Sequence, residues 1–392
     1  MIKSAGNCLD QKIMLDILLE ACERAQTIKT LGMKEIIQGI AARLKPYYPE
    51  YGGSMRQRYA IVLAAGKGTR MKSKQHKILH AVCGKPMVQH VIDSLKGLVT
   101  GEIVVIVGHD AESVKEQLGT SVQYALQEEQ LGTAHAVLMS RDILQDKTGT
   151  TIIISGDTPL VREETLEKLM EQQEKSQAAA IVLTAVLADP TGYGRIIRHS
   201  DGFVERIVEH KDATEAEKEV SEISTGIFCF DNKALFQALS QVKNDNAQGE
   251  YYLPDVIEMM RKEGLSVFAY PTPAVEEGMG VNDRMQLATV EKLLRARINE
   301  KHMRNGVTII DPESTYIDAD VVIGADTVIH PGTFLRGNTC IGEGCVVGPA
   351  ADLLDCQVES KVTIQYTRSM RSTIRQSDMV MGNQLEGLLS IR

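Results

Sequence analysis

What the chain lacks narrows its chemistry first. Its seven cysteines (Cys8, Cys22, Cys83, Cys229, Cys340, Cys345 and Cys356) form no C-x-x-C pair and are odd in number. That pattern speaks against a zinc site or a disulfide framework and for free thiols in a reducing cytoplasm. No stretch reaches the ~18 uninterrupted apolar residues of a membrane span. The opening segment MIKSAGNCLDQKIMLDILLEAC is apolar in flavour, but Asp16 and Glu20 cut the run, so neither a signal peptide nor a membrane partner is expected. Positive charge is also short: 43 Lys and Arg stand against 52 Asp and Glu, a formal net charge of −9. A general nucleic-acid binder is therefore not expected, and any nucleotide must be gripped by a local constellation. There is no Walker A loop and no G-x-G-x-x-G, because position 71 is Met. No Ser/His/Asp or Cys/His nucleophile set stands out either; His76, His80, His90, His109 and His135 read as structural or surface residues.

What is present is the material for several domains. The chain has 392 residues, 43% hydrophobic and 24% charged, enough for two or three ordinary globular cores. Residues 1–54 carry apolar residues at helical spacing twice over and end in the linker-like KPYYPEYGGS, so a helical extension of unknown role is expected. Between 55 and 284, apolar runs such as YAIVLAA, EIVVIVG, VQYALQ, TTIIISGD and AAIVLTAV alternate with helical patterns such as MVQHVIDSLKGL and AESVKEQL. Continuous apolar strands separated by helices imply βαβ units and a mostly parallel, Rossmann-like sheet buried on both faces. Residues 285–305 predict a charged amphipathic linking helix. After it Ile317, Ile323, Ile329, Leu335, Ile341, Val347 and Leu353 recur at every sixth residue, the hexapeptide repeat of a parallel β-helix. Beyond Leu353 that register fades, so a short β-helix of little over two coils is expected within 306–392.

Three constellations fall at expected strand ends, where α/β sheets bind ligands. In IVLAAGKGTRM (61–71), small residues let backbone N–H groups approach an anion, and Arg70, followed by Lys77, supplies cations. The same stretch also reads as a plain tight turn. In IIISGDTPL (152–160), Asp157 either holds Mg²⁺ or caps the next helix. In QEEQLGTAHAV (127–137), Gln127 and Gln130 either read a base edge or belong to an ordinary loop before a helix.

Taken together and in order, LAAGKGTRM…K…GKPM, QxxQLGTAHAV, GDTPL, GYGRI, VEHKDAT, STGIF, NAQGEYYLPD and GVNDR resemble the bacterial bifunctional N-acetylglucosamine-1-phosphate uridyltransferases/glucosamine-1-phosphate acetyltransferases. The resemblance runs from about residue 58 to 366. It implies a Rossmann-like nucleotidyltransferase domain followed by a left-handed β-helix, and Mg²⁺-dependent uridylyl transfer from UTP to N-acetylglucosamine 1-phosphate, giving UDP-N-acetylglucosamine and pyrophosphate. It implies that Leu63, Ala64, Ala65, Gly66, Gln127, Gln130, Gly132 and Thr133 hold the nucleotide. Arg70 and Lys77 would neutralise phosphates, Gly194, Glu209 and Ser224 would face the sugar, and Asp157 and Asn282 would bind the metal.

Departures from the family pattern carry expectations of their own. Ser224 stands where the family has Asn, which predicts weaker or looser sugar selection, and His76 replaces a proline before Lys77, which predicts a looser loop. The short hexapeptide run predicts no acetyltransferase activity and a weakened homotrimer. Ser224 keeps a nucleotidyltransferase for another sugar phosphate open as an alternative. The helical extension, Ser224 and the short β-helix together keep open a non-catalytic relative that binds a nucleotide sugar.

Overall fold

The computed structural model describes residues 56–375 and the backbone of strands 379–381 and 384–386. The helical pair expected in 1–54 lies outside the described residues. Among the described residues no helix is long and apolar enough to cross a membrane.

The five apolar runs all form strands: β1 (Arg58–Ala64), β2 (Ile103–Val107), β3 (Gln123–Leu126), β4 (Thr150–Ser155) and β5 (Ala180–Val186). Four more complete a nine-stranded sheet: β6 (Arg195–Arg198), β7 (Val204–Val208), β8 (Glu222–Asp231) and β9 (Val267–Pro271). The order across the sheet is β9-β5-β8-β4-β1-β2-β3, with β6 pairing both β8 and β7. β1 runs parallel to β2 and β4, while the long β8 enters antiparallel between β4 and β5. Because side chains alternate along a strand, each apolar run feeds two cores. Ile61, Val104, Ile106 and Ile153 pack on one face; Ala60, Val62, Val105, Ile152 and Ile154 pack on the other. Helices cover both faces: α1 (Met87–Lys96) and α2 (Glu163–Ser176) lie on the second, and α3 (Asp255–Lys262) on the first. Fold class and sheet type match the sequence expectation.

Helix α4 (Arg284–Arg304) differs from the single amphipathic stripe expected of it. Its start is capped by Asp283, whose carboxylate accepts the N–H groups of Met285 and Gln286, each at 2.9 Å. Val290 packs with Val82, Met87 and Val281 of the transferase domain. Asn299, nine residues on and therefore about 180° round the helix, is buried on the other side, where its amide donates to Pro312 O at 2.9 Å. The helix is packed on two faces in succession, first by one domain and then by the next.

The following coils form three parallel ladders of five, five and four strands. All seven hexapeptide residues point inward and are buried, at 7% exposure or less. The coil does not fade after Leu353: strands at Gln357–Val358, Thr363–Gln365, Arg368–Met370 and Thr373–Ile374 continue the same ladders, and strands 379–381 and 384–386 extend two of them. The inward residues there are Val358, Ile364, Ser369 and Ile374. Three of those four steps are five residues instead of six, because the turns shorten, and a strict sixth-residue pattern therefore misses them.

Candidate active site

Three strand ends meet at one rim of the sheet. β1 delivers Leu63, Ala64, Ala65 and Gly66; β3 delivers Gln127; β4 delivers Ser155 and Asp157; and all of them line a cavity of about 470 Å³. Gly66 has open space where a side chain would stand, so its backbone is accessible to an anion. Gly68 cannot be replaced so freely. Its φ is +58°, and a Cβ would lie 2.5 Å from Lys77 Cβ, so the turn after β1 is moulded against the stem of Lys77.

The Lys77 ammonium donates to Asp157 Oδ2 and, at 3.2 Å, to Asn282 Oδ1. Asn282 comes from GVNDR, and its route to the site is visible in the backbone: Val281 N–H donates to Asp157 O at 2.9 Å. The Asp283 cap then holds the next residues at the head of α4. Asp157 is buried at 8% exposure, and the lysine is its ion-pair partner. Asp157 caps no helix here: the cap position of α2 is Arg162.

At the other wall, a short helix α5 (Thr133–Leu138) starts at Gly132, whose φ is +118°. A Cβ on Gly132 would meet Tyr251 O at 2.4 Å, so only glycine lets the NAQGEYY loop lie across this helix start. That loop is tied down there, with Leu253 N–H donating to Thr133 Oγ1 at 2.9 Å. The two amides are oriented by protein carbonyls. Gln127 Nε2 reaches Gly132 O at 3.1 Å and His135 Nδ1 at 3.0 Å, and Gln130 Nε2 donates to Ala65 O at 2.6 Å.

A third wall comes from β6–β8. Ser224 N–H donates to Gly194 O at 2.9 Å, and the Ser224 hydroxyl accepts Gly226 N–H at 3.3 Å. Glu209 stands beside Gly194; burial, with Asp212 and Asp255 nearby, raises its carboxyl above the usual range. Asp255 is itself pushed up to about 6 by burial and by Glu258 and Asp212. Arg195, 1% exposed, donates from one side of its guanidinium to Tyr193 O and from the other to Lys218 O at 3.4 Å, which fixes the loop between Gly192 and Gly194.

The cavity thus gathers Leu63 to Gly66, Lys77, Gln127, Gln130, Gly132, Thr133, Asp157, Gly194, Glu209 and Ser224. Asn282 joins through Lys77. Arg70 does not: it lies exposed on the turn Thr69–Met71 and lines no part of the cavity. His76 is buried, with neither ring nitrogen in a hydrogen bond.

The nucleotidyl transferase family profile matches residues 59–275. The chain is 58% identical over 313 residues to the bifunctional protein GlmU of Halalkalibacterium halodurans, covering 80% of this chain and 69% of that protein. Against the bifunctional protein GlmU of Brevibacillus brevis it is 57% identical over 328 residues, 84% of this chain and 71% of the other. The chain belongs to the GlmU family. A solved UDP-glucose pyrophosphorylase in complex with UDP-glucose shares the fold, with a TM-score of 0.52 at 16% identity over 62% of this chain and 99% of that one.

As a member of the GlmU family the chain is a nucleotidyltransferase, in a family whose substrates are a nucleotide and a sugar phosphate and which uses a divalent metal. Its own residues fit such an ion. The Asp157 carboxylate and the Asn282 amide carbonyl are hard oxygen donors, and they already converge on one cation, the ammonium of Lys77. Among the described residues no cluster of three His, Cys, Asp or Glu groups could hold a metal, so the remaining positions of a bound ion would fall to water and substrate phosphate.

The sequence reading sets His135 among structural or surface residues and gives Arg195 no role. The signal for His135 was its place as the third residue of a helix opened by Gly132, one turn from the Gln127 loop. Arg195 carried no signal apart from its position inside GYGRI.

Proposed function

We propose that this nucleotidyltransferase moves the uridylyl group of UTP onto N-acetylglucosamine 1-phosphate, releasing pyrophosphate and giving UDP-N-acetylglucosamine. This reading is carried by the convergence of Lys77, Asp157 and Asn282, from positions 80 and 205 residues apart, beside a cavity walled by bare backbone and two oriented amides. The sugar phosphate oxygen is already an anion, so its attack on the α-phosphorus needs no general base, and the bond to the pyrophosphate oxygen breaks opposite it. Catalysis then reduces to alignment and charge neutralisation. Backbone at Ala65–Gly66 and the Lys77 ammonium meet the phosphates, and Arg70, exposed on the next turn, is the cation left for the departing pyrophosphate. Gln127 and Gln130 present carbonyls to the base, and Gly194, Glu209 and Ser224 face the sugar. Asp157 and Asn282 would hold Mg²⁺, which when bound supplies charge neutralisation at the phosphates.

A second sugar specificity has one observation in its favour. The Ser224 hydroxyl is short and already accepts from Gly226 N–H at 3.3 Å, leaving little reach toward a sugar. Pyrophosphate release from UTP and Mg²⁺, with N-acetylglucosamine 1-phosphate, glucose 1-phosphate and N-acetylgalactosamine 1-phosphate offered in parallel, separates the readings. Preference for the first sugar is expected. Turnover of another sugar keeps the chemistry and moves the substrate, whereas silence with all three from folded, UTP-binding protein sinks the catalytic reading.

A further inference from the structure

We propose that His135 is a positioning residue that sets base selection by locking the side-chain amide of Gln127. This rests on the uridylyl-transfer reading above. Gln127 leaves the end of β3 with its backbone N–H on Val107 O at 2.8 Å, and the residue is 4% exposed. Both amide hydrogens have acceptors: the Gly132 carbonyl at 3.1 Å and His135 Nδ1 at 3.0 Å. Gly132 O can only accept, so the nitrogen end of the amide lies on that side, and the imidazole in its Nε2–H tautomer takes the second hydrogen. The Gln127 carbonyl accepts nothing from the described residues and is left to the cavity that Gln127 lines.

A fixed acceptor at that point discriminates between pyrimidines. Uracil presents N3–H, a donor, which the carbonyl can accept. Cytosine presents N3 as a lone pair, which the carbonyl repels, and it is rejected because no partner for a buried polar atom remains. The discrimination holds only while the amide cannot turn over. His135 sits on α5, where Ala134 N–H donates to Tyr251 O at 2.9 Å and Ala136 N–H to Gly132 O at 3.0 Å, so the imidazole is carried on a tethered element. Removing its lone pair frees one amide hydrogen and leaves Gly132 O as the single restraint, and the flipped amide then offers cytosine a donor.

The test is the ratio of kcat/KM for UTP to that for CTP in wild type, His135→Leu and His135→Asn. Loss of one orienting hydrogen bond predicts a fall in the ratio of roughly three- to tenfold for His135→Leu, through a higher KM for UTP and a lower one for CTP, with kcat at saturating UTP nearly unchanged. His135→Asn places an amide oxygen near the position of Nδ1 and is expected to keep the ratio. Should His135→Leu fail to fold, His135→Ala removes the same acceptor with less bulk and is read by the same ratio. An unchanged ratio, or an equal loss with both nucleotides, defeats the proposal alone. A wild-type enzyme with no turnover of any nucleotide defeats the uridylyl-transfer reading and this proposal with it.

Discussion

The backbone of His76 has φ −57° and ψ 139°, inside the range that a pyrrolidine ring imposes. Among the described residues its N–H has no acceptor, and both ring nitrogens are buried without partners. The imidazole adds the cost of two unmet polar atoms and gives the loop no bond in return. His76→Pro is therefore expected to stabilise the fold by about 1 kcal/mol, by removing those atoms and stiffening the unfolded chain. The gain depends on pH, with a definite sign. Burial, with lesser effects of the surrounding charged groups, lowers the His76 pKa from its ordinary 6.5, so below that value the unfolded chain binds a proton that the folded chain refuses. Wild-type stability thus falls with pH there, while the proline variant has no such term. Thermal unfolding at neutral pH and at about one unit below the histidine value should show the gap widening in acid; a constant or shrinking gap counts against this account of His76.

At the scale of elements the β-helix makes the corresponding prediction. Ser369 occupies an inward position that other coils fill with Ile, Leu or Val; it is fully buried and its hydroxyl has no hydrogen bond. Ser369→Ala should stabilise the coil by about 1 kcal/mol, read as a rise in Tm; a fall would mean that the hydroxyl is satisfied in solution. The same stretch shows why part of the fold was hidden in the sequence. The strands of the sheet were legible because uninterrupted apolar runs are what a sheet covered on both faces requires, and Ile317 to Leu353 were legible because every step was six residues. Past Leu353 three of the four steps shorten to five and a serine takes an apolar place, so periodicity loses the coil although the ladders continue. α4 was misread for a related reason: two partners in succession write their contacts on opposite sides of the helix, and no single stripe results. In the site, Asp157 and the Gly66 turn were visible as strand ends. Asn282, by contrast, was recoverable only from the whole set of motifs, because nothing local to GVNDR announces a contact with Asp157.

Across the whole molecule, Lys77, Asp157 and Asn282 close the transferase domain on itself. One side chain joins the loop after β1, the end of β4 and the head of α4, spanning up to 205 residues. Both members of the central ion pair are largely buried, with side-chain exposures of 13% and 11%. Removing one partner of such a pair leaves the other charge stranded, which is costlier than losing a surface contact. Lys77→Met should accordingly lower stability by about 3 kcal/mol in EDTA, seen as a drop in Tm without nucleotide. The same substitution leaves the Asp157 carboxylate and the Asn282 carbonyl facing each other with no resident cation. Excess Mg²⁺ is then expected to recover most of the lost Tm, because an ion that binds only the folded state stabilises it by mass action. In wild type the ammonium already occupies that position, so the ion must displace it and Tm should respond much less. A Lys77→Met protein whose Tm ignores Mg²⁺ would show that the two oxygens do not form a cation site. One as stable in EDTA as wild type would show that the closure contributes nothing to the fold.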